Sequence, residues 1–172
     1  MLAMKKNILI FGYGDLAQRL SLIFDKNSYR VFGVSRTSKE TLKNNHISWD
    51  WLSEDNPALD VKDFDCIIFI PKPSSYDEDG YKNGFIKSAE NIFNLSKELT
   101  FDKFISISST SVYGKGNKDM HYESDNLLPD DFRGKIIKDY ESNQIKRYSN
   151  KLIILRLAGL YDSITDINFL NH

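Results

Sequence analysis

Short apolar runs recur along the chain at residues 7–11, 30–34, 66–70, 104–108 and 152–157. Each is rich in Ile, Val, Leu or Phe and lacks strict alternation, the pattern of a strand covered on both faces. A weaker run at 46–51 predicts a sixth strand near a sheet edge. Between the runs the spacing changes to three and four. Leu16, Leu20, Ile23 and Phe24 mark one helical face. Phe85, Ala89, Ile92, Phe93 and Leu99 mark a second, on a helix over 81–99. Ile136, Ile137, Tyr140, Ile145 and Tyr148 mark a third. Residues 38–44 are a candidate short helix. Alternating strands and helices predict an α/β fold with a parallel sheet covered on both sides. Right-handed crossovers then give a doubly wound sheet of strand order 3-2-1-4-5-6.

The segments 74–80 and 115–131 are polar, charge-mixed and contain glycine, so they read as surface loops. No repeat, low-complexity tract or linker divides the chain, and residues 1–172 read as one domain. Ligands of such sheets lie beyond the carboxyl ends of the strands.

The first strand ends in Gly12-Tyr13-Gly14-Asp15-Leu16-Ala17. This is G-x-G-x-x-G/A between a strand and a helix, the context in which it cradles a dinucleotide pyrophosphate. Gly12 allows the tight turn, Gly14 lets backbone approach the phosphates, and Ala17 keeps helix and strand close. The free amides and dipole of the helix favour an anion. Asp15 is an odd neighbour for one, and is expected to point outward or cap the helix. A simple tight turn is the competing reading.

The second strand ends at Ser35-Arg36. An acidic residue there grips the ribose hydroxyls of NAD, whereas an arginine suits the 2′-phosphate of NADP. Arg36 therefore favours NADP over NAD; a solvated arginine is the alternative. Asp50, ending the weak strand, is a candidate for the adenine amino group or a turn residue. Pro71-Lys72-Pro73 stiffens the loop where the chain passes the cofactor's second ribose and nicotinamide. Lys72 there is a phosphate contact or a solvated lysine.

Two later runs add to this. They are Ser108-Ser109-Thr110-Ser111-Val112-Tyr113-Gly114 and Leu155-Arg156-Leu157-Ala158-Gly159-Leu160-Tyr161. With the glycine turn they resemble the extended and atypical short-chain dehydrogenase/reductase superfamily, specifically NAD(P)-dependent sugar-nucleotide epimerases and dehydratases. The resemblance implies a Rossmann-like fold and a reductase, epimerase or dehydratase acting on a sugar nucleotide or related carbonyl substrate. It assigns Ser109 to orient the reacting hydroxyl. It also implies a Tyr-x-x-x-Lys pair on the next helix, whose tyrosine is the acid/base of matched pKa.

That pair is missing. Anchoring on Glu141, a glutamate common in the family's helix, puts Arg133 at the tyrosine position and Ile137 at the lysine position. No Tyr-x-x-x-Lys occurs anywhere in the sequence. Lys135 and Lys138 are nearby substitutes or solvated side chains. Tyr113 falls where the family's tyrosine is usually structural. Asp162 replaces a glycine frequent after Tyr161, and a chain ending at His172 lacks the smaller C-terminal substrate domain of the family. The tail has Ile164, Ile167, Phe169 and Leu170, enough for a turn or two that covers the sheet edge or a partner chain. A non-catalytic NAD(P)-binding protein, redox-sensing or partner-binding, is the alternative to an enzyme.

Totals narrow the classes. Hydrophobic residues make up 41% and charged residues 27%, as in an ordinary globular domain. A net charge of −1 gives no basic excess for nucleic acid. No run is long enough to span a membrane. Residues 1–6 lack the features of a signal peptide, and Met4 is a candidate natural start. A small-molecule substrate, a cytoplasmic location and, as an open choice, a homo-oligomer are expected. The single cysteine, Cys66, lies in an apolar run and reads as a buried, inert thiol. His46, His121 and His172 are scattered, so no metal site is expected. Asp119, Glu123 and Asp125 around His121 read as a solvated acidic loop.

Overall fold

The computed structural model describes residues 4–37, 42, 45–53, 55–115 and 120–159. Six strands form one parallel sheet: β1 (Lys6–Phe11), β2 (Tyr29–Ser35), β3 (His46–Ser48), β4 (Asp63–Phe69), β5 (Thr100–Ser109) and β6 (Leu152–Leu157). Their order is β3-β2-β1-β4-β5-β6, the expected doubly wound arrangement. The chain therefore steps one way from β1 to β2 and β3, and the other way from β4 to β6.

Helix α1 (Asp15–Ile23) packs on one face, over Ile8, Ile10 and Ile68. The other face carries the larger core and two helical layers. One runs without a break from α2 (Glu78–Tyr81) through a π-helical stretch (Lys82–Lys87) into α3 (Ser88–Ser96). The second is α4 (Phe132–Tyr148). Leu9, Phe11, Ile67, Phe69 and Phe104 point into this core from the sheet, and Ile92, Leu95, Ile137 and Tyr140 from the helices. The rings of Phe104 and Tyr148 stack with centroids 3.8 Å apart.

Several boundaries differ from the sequence reading, for local reasons. The second helix starts at Glu78 rather than 81, because Asp77 accepts from the Gly80 amide at 2.7 Å and caps it. Part of the expected loop 74–80 is thus helical. That helix ends at Ser96, yet Leu99 beyond it is still buried. The strand expected over 46–51 stops at Ser48, since Asp50 turns the chain, accepting from Leu52 at 3.2 Å. The expected helix over 38–44 lies outside the described residues, apart from Leu42. Ile23 and Ile145, expected to face inward, are 81% and 56% exposed. On α4 the buried face instead runs through Ile136, Ile137, Tyr140, Glu141, Gln144 and Tyr148. Two of its six positions are polar, which is why an apolar count chose the wrong residue.

Cys66 is half-buried rather than buried. Burial first, and the Asp65 carboxylate second, push its thiol up to about 11. At pH 8 its thiolate fraction is then roughly 100-fold below that of a thiol at the ordinary 9. Iodoacetamide labelling of the folded chain is expected to be correspondingly slow, with a midpoint near pH 11. Because the unfolded chain deprotonates first, this group's stabilisation is present below pH 9 and lost between pH 9 and 11. A labelling midpoint near 9 overturns this.

Candidate functional site at the carboxyl edge of the sheet

A parallel sheet brings the ends of all its strands to one edge. Along that edge the order is Asp50 after β3, Ser35 and Arg36 at β2, the turn of residues 12–17 after β1, Pro71 after β4, and Ser109 ending β5. The sequence-predicted site residues are therefore brought together in one row. The chain reverses its winding between β1 and β4, and such a switch point opens a crevice beside the first turn.

The turn is held from both sides. The amides of Gly12 and Tyr13 both donate to the Val34 carbonyl at 3.0 Å, and the Ile70 amide donates to Phe11 at 2.9 Å. Gly12 has φ +83°, and a Cβ there would lie 2.3 Å from the Ile70 carbonyl oxygen. Gly14 is different. It precedes α1 with extended backbone, and a Cβ there would meet nothing nearer than 3.9 Å. Its side is open where a phosphate group would approach the first amides of α1. No side chain caps that helix.

Neighbouring residues divide between frame and surface. Ala17 is fully buried under β1, as its closeness to the strand requires. Leu16 is half-buried. Tyr13 is fully buried as well: its hydroxyl meets Ser21 Oγ at 2.7 Å, and its ring fills the space beside Gly33. With its amide on Val34, Tyr13 shapes the turn from beneath rather than offering its ring to a ligand. Asp15 points outward and accepts from Arg19 at 2.9 Å, so its carboxylate faces away from the turn.

Ser35 Oγ lies 2.9 Å from His46 Nε2 and donates to the Thr37 carbonyl at 3.0 Å. Arg36 is exposed, and its carbonyl accepts from Ser48 Oγ at 3.0 Å. Asp50 serves the turn described above. Pro71 is half-buried and Lys72 exposed. Ser109 caps a short 3₁₀ turn (Thr110–Tyr113), its Oγ accepting from the Ser111 amide at 3.2 Å. Its hydroxyl proton remains available to a ligand.

Beside Ser109 lies a buried charged network that the sequence reading missed. Glu141, 1% exposed, accepts from Ser108 Oγ at 2.5 Å. It also takes Nε and Nη2 of Arg156, at 3.0 and 2.8 Å. This is a two-pronged pair of the strong kind. Arg156 Nη1 donates to the Tyr113 hydroxyl at 2.7 Å, and its guanidinium lies over the Tyr113 ring. The same residues hold down the following loop. The His121 ring stacks on Tyr113 at 4.7 Å, with Nδ1 3.6 Å from the Asp125 carboxylate. The expected solvated loop around His121 is thus docked on the site; Asp119 lies outside the described residues. Both carriers were in view, Glu141 as an anchor and Arg156 inside a motif. The signal that joins them is that Arg156 shares its strand face with Leu152 and Ile154, against α4.

Arg133 is exposed on α4, and Ile137 is 3% exposed within the core. Lys135 is exposed, and Lys138 donates to the Leu127 carbonyl at 2.8 Å. Burial holds the phenols of Tyr140 and Tyr148 protonated; they bond Ser106 and Ser96 inside the core. Among the described residues no cluster could hold a metal ion, and no helix is long and apolar enough to cross a membrane.

No family model matches the sequence, and no curated protein matches it. Solved structures do match the fold. The UDP-glucuronic acid 4-epimerase from Bacillus cereus in complex with NAD is similar, with TM-score 0.71 and 21% identity. That match covers 90% of this chain and 57% of that one. The UDP-N-acetylglucosamine 4-epimerase from Methanobrevibacter ruminantium M1, in complex with UDP-N-acetylmuramic acid, gives TM-score 0.69 at 21% identity, over 90% and 55%. The UDP-Glc/GlcNAc 4-epimerase from Campylobacter jejuni gives 0.69 at 18% identity, over 93% and 56%. The chain thus spans little more than half the length of these structures and shares their Rossmann-like fold.

Proposed function

We propose that residues 1–172 form a domain that binds a nicotinamide adenine dinucleotide along this edge, with NADP preferred to NAD. The domain would serve an epimerase- or reductase-like activity on a sugar nucleotide or related carbonyl compound. The observation that carries the reading is the open side of Gly14, at the start of α1 and at the switch point of the sheet. Gly12 and Ala17 fix that turn, with Tyr13 as its footing, and the Asp15 and Leu16 amides face the pyrophosphate. Ser35 and Arg36 take the adenosine ribose, the Arg36 guanidinium meeting a 2′-phosphate. Asp50 takes the adenine edge, and Pro71 lines the path to the nicotinamide ribose. When bound, the cofactor supplies a hydride acceptor or donor. Ser109 orients a substrate hydroxyl through its free proton. The solved epimerases of the same fold, several in complex with NAD, support nicotinamide dinucleotide binding by this fold.

A second reading is a non-catalytic NAD(P)-binding domain. It is favoured by Ile137, whose buried aliphatic side chain stands where the family's lysine would be.

Fluorescence titration with NADPH and NADH tests the shared premise. NADPH should bind about tenfold tighter, and Arg36→Asp should reverse that preference, each tenfold being ~1.4 kcal/mol. Unchanged preference in Arg36→Asp overturns the NADP assignment, and no binding of either cofactor at millimolar concentration overturns both readings. Turnover of a sugar-nucleotide panel that disappears in Ser109→Ala selects the enzyme; tight binding without turnover selects the second reading.

A further inference from the structure

Two glycines draw the helical layers close to the ends of β4 and β5. Gly84, in the π-helical stretch, leaves no room for a Cβ against the Lys72 carbonyl and the Pro73 backbone, so this layer presses on the loop that follows β4. Gly134, in the first turn of α4, is as tightly placed: a Cβ there would lie 2.5 Å from the Ser111 carbonyl oxygen. Ser111 is the residue whose amide donates to Ser109 Oγ. The first turn of α4 therefore sits at the carboxyl edge, against the turn that Ser109 caps and against the helical layer that follows β4.

Arg133 stands on this turn and is exposed. Its guanidinium lies 5.8 Å from the centre of the Tyr81 ring and 5.7 Å from that of Phe132. Those two rings meet edge to face, and Tyr81 stacks on the buried Phe85. Aromatic faces steady a guanidinium without consuming its N–H donors. The carboxylates around it are engaged elsewhere. Asp131 caps Gly134 at 2.8 Å, Asp130 accepts from the Lys115 amide, and Glu78 pairs with Lys82 at 2.7 Å. Among the described residues Arg133 has no ion pair and no hydrogen bond. Lys72, exposed on the loop after β4, adds a second positive charge at this edge.

We propose that Arg133 binds an anionic group of the substrate, a carboxylate or a phosphate, beside the hydroxyl that Ser109 orients. The inference rests on the reading of this edge as a dinucleotide site. In that reading the cofactor's phosphates lie at the turn after β1, two strands away from β5. The part of the cofactor that passes Pro71 is the nicotinamide and its ribose, which carry no negative charge. An anion at Arg133 therefore belongs to the substrate. The planar fork of the guanidinium offers paired donors to either group. It stays protonated throughout the working pH range, so it holds and orients the substrate and carries no proton. The substrate class narrows to compounds with a negative charge close to the reacting hydroxyl or carbonyl.

The test follows the Arg133 Nε–Hε signal by nuclear magnetic resonance in the NADP-loaded chain, assigned as the one that Arg133→Lys removes. UDP-glucuronic acid, UDP-glucose and glucose are added in separate titrations. The signal should move and saturate with at least one of the two charged compounds and stay still with glucose. Arg133→Gln should weaken that compound at least tenfold, read at the Gly134 amide, and Arg133→Lys should weaken it less. NADP affinity should stay the same in both variants. A loss confined to UDP-glucuronic acid identifies a carboxylate as the bound group, and an equal loss for UDP-glucose identifies a phosphate. A signal that neither charged compound moves overturns the proposal, as does one that glucose moves equally. A tenfold fall of NADP affinity in Arg133→Gln overturns it too, because the anion is then the cofactor's. Failure of the wild-type chain to bind NADP or NAD is seen before any sugar is added, and it strikes the dinucleotide reading beneath the proposal.

Discussion

Gly12→Ala is expected to destabilise the fold by several kcal/mol, while Gly14→Ala, two residues away, leaves stability nearly unchanged and weakens dinucleotide binding at least tenfold. The contrast follows from the surroundings of the two glycines. At Gly12 the backbone has φ +83°, which costs a side chain ~1–3 kcal/mol. The new Cβ would also press on the carbonyl of Ile70, the residue that follows β4 and is tied to β1 by its amide on Phe11. At Gly14 the backbone is extended and the space is open, so alanine loses only a preferred cap residue, below about 1 kcal/mol. What its methyl occupies is the approach of the pyrophosphate. Urea denaturation should place Gly12→Ala well below the wild-type midpoint and Gly14→Ala close to it. Cofactor titration should weaken at least tenfold in Gly14→Ala, or ~1.4 kcal/mol. Wild-type affinity in Gly14→Ala would show that no phosphate approaches that turn.

Arg156→Met should produce the other large effect. It leaves the Glu141 carboxylate buried with, among the described residues, Ser108 as its remaining partner. Removing one member of a buried ion pair costs ~3–5 kcal/mol. For a chain of this length that lowers the melting temperature by on the order of 10 °C. Arg156→Lys should fall between, since it keeps the charge and loses the two-pronged geometry. The loss should also reach the loop, because Arg156 donates to the Tyr113 hydroxyl on which His121 stacks. Faster amide exchange over 120–127 in Arg156→Met would register that release. A melting temperature within 2 °C of wild type, on the ~2–4 °C per kcal/mol scale, would refute the assignment of this pair as a structural anchor.

The sheet order and the glycine turn were legible because both depend on local signals. Each strand is a short apolar run, and handedness leaves few ways to connect such runs. Gly12 and Gly14 stand where a strand gives way to a helix. What escaped was written in pairings between distant positions. Glu141 and Arg156 read separately as an anchor glutamate on a helix and a motif arginine; only their burial against each other joins them. The same reason misplaced Ile145, because a hydrophobic tally cannot anticipate a helix that turns Glu141 and Gln144 inward. Tyr13 looked like a ligand residue from its place in the motif, but Gly33 on the next strand leaves a space that its ring fills. The π-helical stretch at 82–87 has no apolar signature of its own, and the run it interrupts reads as one ordinary helix.

The two margins of the sheet carry unequal colloidal risk. β3 is only three residues long, and a margin so short offers little template for another chain. β6 has six residues, Leu-Ile-Ile-Leu-Arg-Leu, and pairs on one side only among the described residues. Charged gatekeepers ordinarily discourage recruitment along such a strand. Here the two nearest are engaged inward: Lys151 donates to the Phe101 carbonyl at 2.7 Å, and Arg156 is tied to Glu141. Among the described residues β6 is therefore the margin more open to recruitment of another strand, and a lysine at Ile153 or Leu155 is expected to lower concentration-dependent aggregation, as light scattering would show.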